Sequence, residues 1–132
     1  MQKHLAIFAP PVVKLIFSGQ KTIDCRFSQR KIAPFGKVSV GDIVYIKPAG
    51  ADIKGQFKVK KVIYFAGLEA SDWDLIVKKY GRNILPKKLL NQFSQTREKA
   101  IFGTLIFMNQ VEQFIVSPIK PIKKDRRGWV TL

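Results

Sequence analysis

Residues 18–26 read Ser-Gly-Gln-Lys-Thr-Ile-Asp-Cys-Arg, and they concentrate the groups in this sequence that could do chemistry. Gly19 suits a turn, and Lys21, Asp24 and Arg26 follow at strand spacing. In a strand, Asp24 and Arg26 fall on one face about 6–7 Å apart, because successive side chains alternate. One carboxylate between two cations can orient a ligand by accepting and donating at once. On an exposed strand the same pair would be an ion pair worth about 0–1 kcal/mol.

A second set lies near the C-terminus. Lys120, Lys123, Lys124, Arg126 and Arg127 form a run broken by Asp125 and followed by Trp129. Lysine and arginine neutralise phosphates and release counterions, and a neighbouring aromatic can stack on an unpaired base. Arg30 and Lys31 add charge just beyond the first motif. Trp129 also alternates with Thr131, which suits a core position. His4 begins an apolar segment and reads as a structural histidine, and Cys25 falls on the apolar parity and reads as an inert core thiol. No metal-ligand spacing, glycine-rich phosphate loop or Ser/His/Asp set is present, so no metal or cofactor is expected.

The whole chain has 132 residues, with 24 Lys+Arg against 9 Asp+Glu and a net charge of +15, yet 46% of it is hydrophobic and 11% aromatic. A disordered basic tail lacks such apolar content. The length predicts one domain over residues 1–132. No apolar run approaches the roughly 20 residues that span a bilayer, and no secretory h-region follows Met1. A single cysteine excludes an internal disulfide. These features predict a cytoplasmic monomer without a membrane partner. A charge of +15 far exceeds the magnitude of about 2–8 that keeps a small domain soluble, and it favours polyanions.

The elements that must position these residues can be read in order. His4–Ala9 is strand-like. Pro10 and Pro11 sit where proline opens a helix, and Val12, Leu15 and Ile16 give that helix an apolar stripe up to Gly19. Lys21–Ser28 alternates, with Ile23, Cys25 and Phe27 opposite Thr22, Asp24, Arg26 and Ser28. Gly41-Asp42 turns into the strand Ile43–Ile46. The next strand, Gln56 to Phe65, places Phe57, Val59, Ile63 and Phe65 on one parity, which Lys61 interrupts. A bulge near Lys60-Lys61 or a strand end at a rim accounts for that break. Ser71 and Asp74 resemble a capping box, and Trp73, Ile76, Val77 and Tyr80 predict a helix ending at Gly81. Pro86 opens a further short helix. Ala100–Met108 is apolar on both parities, so it should be an interior strand covered on both sides. A last short strand follows at Gly128–Leu132. Five or six strands with two or three short helices predict an α+β fold built on a small barrel.

The Gly-x-Lys-x-x-acid-x-Arg pattern of residues 19–26, coming off a helix and entering a strand, resembles the ASCH domain family of the PUA-like superfamily. Val40-Gly41-Asp42-Ile43-Val44 is similar to that family's turn into its next strand. The resemblance covers roughly residues 5–65. Asp24 stands where many members carry glutamate, which shortens the carboxylate's reach. The resemblance implies a PUA-like β-barrel whose cleft is lined by Lys21, Asp24 and Arg26, and a role in binding RNA or modified nucleotides.

Some small members are amidohydrolases of acylated cytidine nucleosides that use a lysine, a hydroxyl residue and a downstream glutamate. Lys21 matches the lysine, Asp24 replaces the hydroxyl residue, Thr22 is a neighbouring hydroxyl, and Glu69 is the downstream acid. The resulting expectation is an RNA- or single-stranded nucleic-acid-binding domain. Lys21, Thr22, Asp24 and Arg26 would form its cleft, and Arg30, Lys31 and the C-terminal basic run its rim. The alternative is a small hydrolase or nuclease acting through Lys21, Asp24 and Glu69, and a third reading is a basic domain associated with a ribosome or a protein.

Overall fold

In the computed structural model, which describes residues 1–85, 99–116 and 128–132, six strands and two helices follow one another. They are β1 (Lys3–Phe8), α1 (Pro10–Phe17), β2 (Ile23–Ser28), β3 (Ile43–Pro48), β4 (Gly55–Ala66), α2 (Ala70–Ile84), β5 (Phe102–Gln113) and β6 (Trp129–Thr131). The strands form one curled sheet, a half-barrel, in the order β2-β5-β4-β3-β1-β6. β1 runs parallel to β3, and every other pair is antiparallel. The α+β barrel expected from the sequence is therefore present. The helix expected at Pro86 lies outside the described residues. No described helix is long and apolar enough to cross a membrane.

Two main cores sit on opposite faces of the sheet. The concave face packs Ala6, Phe8, Val44, Ile46, Phe57, Val59, Ile106, Met108 and Trp129 with Val13 and Ile16 of α1. On the convex face, Ile23, Cys25, Phe27 and Leu105 pack with Ile76 and Ile84 of α2. β5 thus buries Leu105 on one side and Ile106 on the other, as its two apolar parities required. It extends past the expected Met108 to Gln113.

α2 also departs from expectation at both ends. Its N-cap is Glu69, whose backbone N–H donates to Asp72 Oδ2 at 2.9 Å, so the capping box is Glu69/Asp72 and not Ser71/Asp74. It continues through Gly81, buried against the sheet, to Ile84. Packing on the convex core outweighs the cost of one glycine in a helix interior.

The β4 irregularity is a bulge. Val59 pairs with Met108 but Lys61 with Phe107, so β4 advances two residues while β5 advances one, and Lys60 is the extra residue. Side chains change face across it. Phe57 and Val59 point into the barrel, whereas Ile63 and Phe65 join the convex core beside α2. The sequence parity that put all four on one face is corrected accordingly. Beyond the bulge, Val62 and Tyr64 pair with Ile106 and Thr104 on the concave side.

Candidate functional site

The site grows from the turn between α1 and β2. Pro10 opens α1, and Gly19 at φ +82° reverses the chain. That conformation is ready only for glycine. The backbone N–H of Lys21 then donates to Leu15 O at 3.0 Å, which sets its side chain inward. Lys21 is 4% exposed, and its Nζ donates to Ile23 O at 2.8 Å and Ile84 O at 2.9 Å. It thereby joins the start of β2 to the C-terminal end of α2. Burial lowers the pKa of Lys21 below its ordinary 10.5, with the negative charge of Asp24 pulling the other way.

Asp24 and Arg26 project from the concave face, paired with Ile106 and Thr104 of β5. The acid is not on an exposed strand: Asp24 is 4% exposed, with Oδ2 accepting from Arg26 Nε at 2.9 Å and Oδ1 3.9 Å from Lys21 Nζ. Arg26 crosses the seam where the sheet fails to close. Its Nη2 donates to Ile7 O at 3.0 Å and its Nη1 to Gly128 O at 3.3 Å. The guanidinium carbon lies 4.8 Å from the centroid of Phe8 and 5.5 Å from that of Trp129.

Arg26 stands between two cavities. One, of about 200 Å³, is lined by Lys21, Asp24 and Arg26 with apolar walls that include Phe8, Val12 and Leu85. The other, of about 210 Å³, lies toward the loop after β2 and is lined by Arg26, Pro34, Phe35, Thr104 and Trp129 among others. Phe35 is held there by Tyr64 and Phe102, at centroid distances of 5.3 and 5.1 Å. The Tyr64 hydroxyl accepts from Val38 N at 2.8 Å and donates to Val38 O, which pins the same loop.

The structure brings Lys21, Asp24 and Arg26 together and separates the rest. Thr22 is exposed, away from Asp24 and Arg26, and it borders a different depression that Lys21 also lines, with Phe17, Met108 and Val111. Glu69 caps the start of α2, while Lys21 meets the carbonyl of Ile84 at its end. Fifteen helical residues at 1.5 Å each set the two ends about 22 Å apart, so Glu69 does not share a site with Lys21. Arg30 and Lys31 are exposed beyond β2, with Lys31 Nζ 5.8 Å from the centroid of Phe102. Lys120, Lys123, Lys124, Arg126 and Arg127 lie outside the described residues.

Thr104 and Phe35 escaped the sequence reading. A threonine inside an apolar strand was the available signal. Asp42 also gained a role. His4, fully buried, donates through Nε2 to Asp42 Oδ2 at 2.9 Å, while its Nδ1 accepts from Trp129 Nε1 at 3.2 Å. The histidine–acid pair is therefore structural, with an indole N–H where a nucleophile would have to sit. Trp129 is core and cavity wall at once.

No protein-family model matches the chain, and no curated protein matches it in sequence. Solved structures do match its fold. The ASCH protein of Zymomonas mobilis superposes with a TM-score of 0.61 at 14% identity, over 84% of this chain and 69% of that one. Two crystal structures of its point variants give TM-scores of 0.70 and 0.69 at 13% identity, covering 100% and 98% of this chain and 91% and 87% of theirs. This chain has the ASCH fold. A hypothetical protein matches as well, with a TM-score of 0.57 at 21% identity over 86% of this chain and 100% of its own. At such identities the ASCH likeness concerns architecture alone, and function must be argued from the cavity.

Proposed function

We propose that this protein binds single-stranded RNA, seating one unpaired base in the cavity of Lys21, Asp24 and Arg26 while basic surface residues hold the phosphates. The observation that carries this reading is the buried Asp24 carboxylate on the wall of a small, mostly apolar chamber, with a cation on either side. A carboxylate has about four acceptor positions, and among the described residues Arg26 and Lys21 face two of them. The remainder can accept from an exocyclic amino group, as acidic side chains do from cytosine. At about 200 Å³ the chamber is smaller than a drug-sized pocket and suits a single heterocycle. Unpaired bases can be splayed into such a pocket, whereas a duplex hides them. The charge of +15 supplies the attraction for the backbone.

Fluorescence anisotropy with cytosine- and uracil-rich RNA oligomers at 50 and 200 mM salt tests the proposal. Affinity should fall steeply with salt. Asp24→Asn should narrow the preference between the two oligomers more than it weakens binding overall. Salt-independent binding, or an unchanged preference in the variant, would overturn it. The hydrolytic reading draws less support, because Asp24 replaces the hydroxyl residue and Glu69 lies a helix length from Lys21. Turnover of N4-acetylcytidine by the wild type but not by Lys21→Met would restore that reading.

A further inference from the structure

The second cavity holds a polar group that the fold itself does not use. Thr104 is 1% exposed, and its Oγ1 has no hydrogen-bond partner among the described residues. Buried hydroxyls are nearly always paired, since an unmade bond leaves the full desolvation penalty. Thr104 lines a chamber of about 210 Å³, room for far more than one water. Three of the five guanidinium N–H groups of Arg26 donate to Asp24, Ile7 and Gly128. Among the described residues two remain without an acceptor, and Arg26 borders both chambers.

The walls are flat and fixed. Trp129 is anchored by its bond to His4, and Phe35 by its contacts with Tyr64 and Phe102. Aromatic walls with the polar side chains of Ser28 and Thr104 and a guanidinium match a planar heterocycle bearing acceptors, the same class of ligand as in the first chamber. Of the described residues, the two chambers share Arg26 alone, and it is a cation.

We infer that the Thr104 chamber is a second nucleobase subsite, so that the site takes two consecutive nucleotides astride Arg26, their linking phosphate over the guanidinium. This rests on the reading of the first chamber as a base pocket. Arg26 then acts as a divider that also grips the link, because guanidinium–phosphate hydrogen bonds are charge-assisted. Thr104, turning about its Cα–Cβ bond, brings its hydroxyl to a base edge with a group to pair.

Calorimetric titration with the ribonucleoside 5′-monophosphates and with 5′-phosphorylated RNA dinucleotides decides the matter. The wild type should bind its best dinucleotide about tenfold or more tightly than its best mononucleotide. Thr104→Val keeps the volume and removes the hydroxyl, and it should cut that ratio about tenfold without lowering the thermal midpoint. Phe35→Leu, which removes a flat wall, provides a second variant and should also reduce the ratio. If mononucleotides bind but dinucleotides bind no better, or both variants keep the wild-type ratio, the second subsite is overturned and the Thr104 hydroxyl serves only water. If neither ligand binds, the base-pocket reading itself fails and takes this inference with it.

Discussion

Arg26 Nη2 donates to Ile7 O at 3.0 Å, a bond between strands β2 and β1 that lie at opposite sides of the seam and share no ladder. A half-barrel leaves edge groups unpaired there, and one side chain spans the gap. The same side chain neutralises Asp24 through Nε. Structure and site therefore depend on one residue.

Arg26→Met should destabilise the protein by roughly 3 kcal/mol, because it leaves the buried Asp24, among the described residues, with only Lys21 at 3.9 Å. Adding Asp24→Asn should recover part of the loss, since the uncompensated charge is then gone. Urea unfolding midpoints at constant m-value measure both effects. An Arg26→Met protein as stable as the wild type would show that the seam needs no latch.

Asp42 yields a prediction about acid. Burial raises its pKa, but hydrogen bonds from His4 and from the backbone amides of Ser39 and Gln2 outweigh that and hold it below the ordinary 3.8. A carboxyl with a depressed native pKa contributes stability that is present above the unfolded value and lost as pH falls through the native one. Asp42→Asn should cost about 2 kcal/mol at pH 7. The gap between variant and wild type should then shrink below about pH 3.8. Thermal midpoints from pH 2 to 7 for both proteins provide the check.

Lys21 gives a slope of the same sign in a higher pH range. Its native pKa is lowered by burial from 10.5, so the unfolded chain binds more protons in the window between the native value and 10.5. Stability from this group therefore rises with pH across that window. Lys21→Met should lack the rise, and the wild-type minus variant difference should climb as pH approaches 10.5. A difference independent of pH would mean that Lys21 is solvated like a surface lysine.

Gly103 of β5 is a packing position. A Cβ built there would meet two ring carbons of Phe27 at 2.8 Å and Leu68 at 3.2 Å. Gly103→Ala should cost about 1–3 kcal/mol through overpacking. Combining it with Phe27→Leu should be less damaging than the sum of the two single changes, which chemical denaturation can show.

The helix–turn–strand around Gly19, the Asp24–Arg26 pairing and the irregularity at Lys60 were legible because each depends on local spacing. The facing of the β2 residues was not. Its apolar parity, Ile23, Cys25 and Phe27, faces α2, and the polar parity fills the barrel. Alternation separates two faces of a strand without revealing that both are covered. The partner of His4 was equally hidden, since Asp42 lies 38 residues away and reaches it only through the parallel β1–β3 pairing. Thr104 gave no signal by spacing, because what distinguishes it is an unmade bond inside a cavity.

The extra residue at Lys60 makes β4 a phase shifter between the two faces of the sheet. Deleting it would leave a regular ladder in which Val59 and Lys61 become neighbours, with Ile63 still on the helix side and Tyr64 still on the barrel side. Substitutions at Lys60, whose side chain is exposed, should be harmless as well. In this stretch sequence parity and facing part company at one residue, so related chains can lack that residue and still turn the same side chains to the same faces.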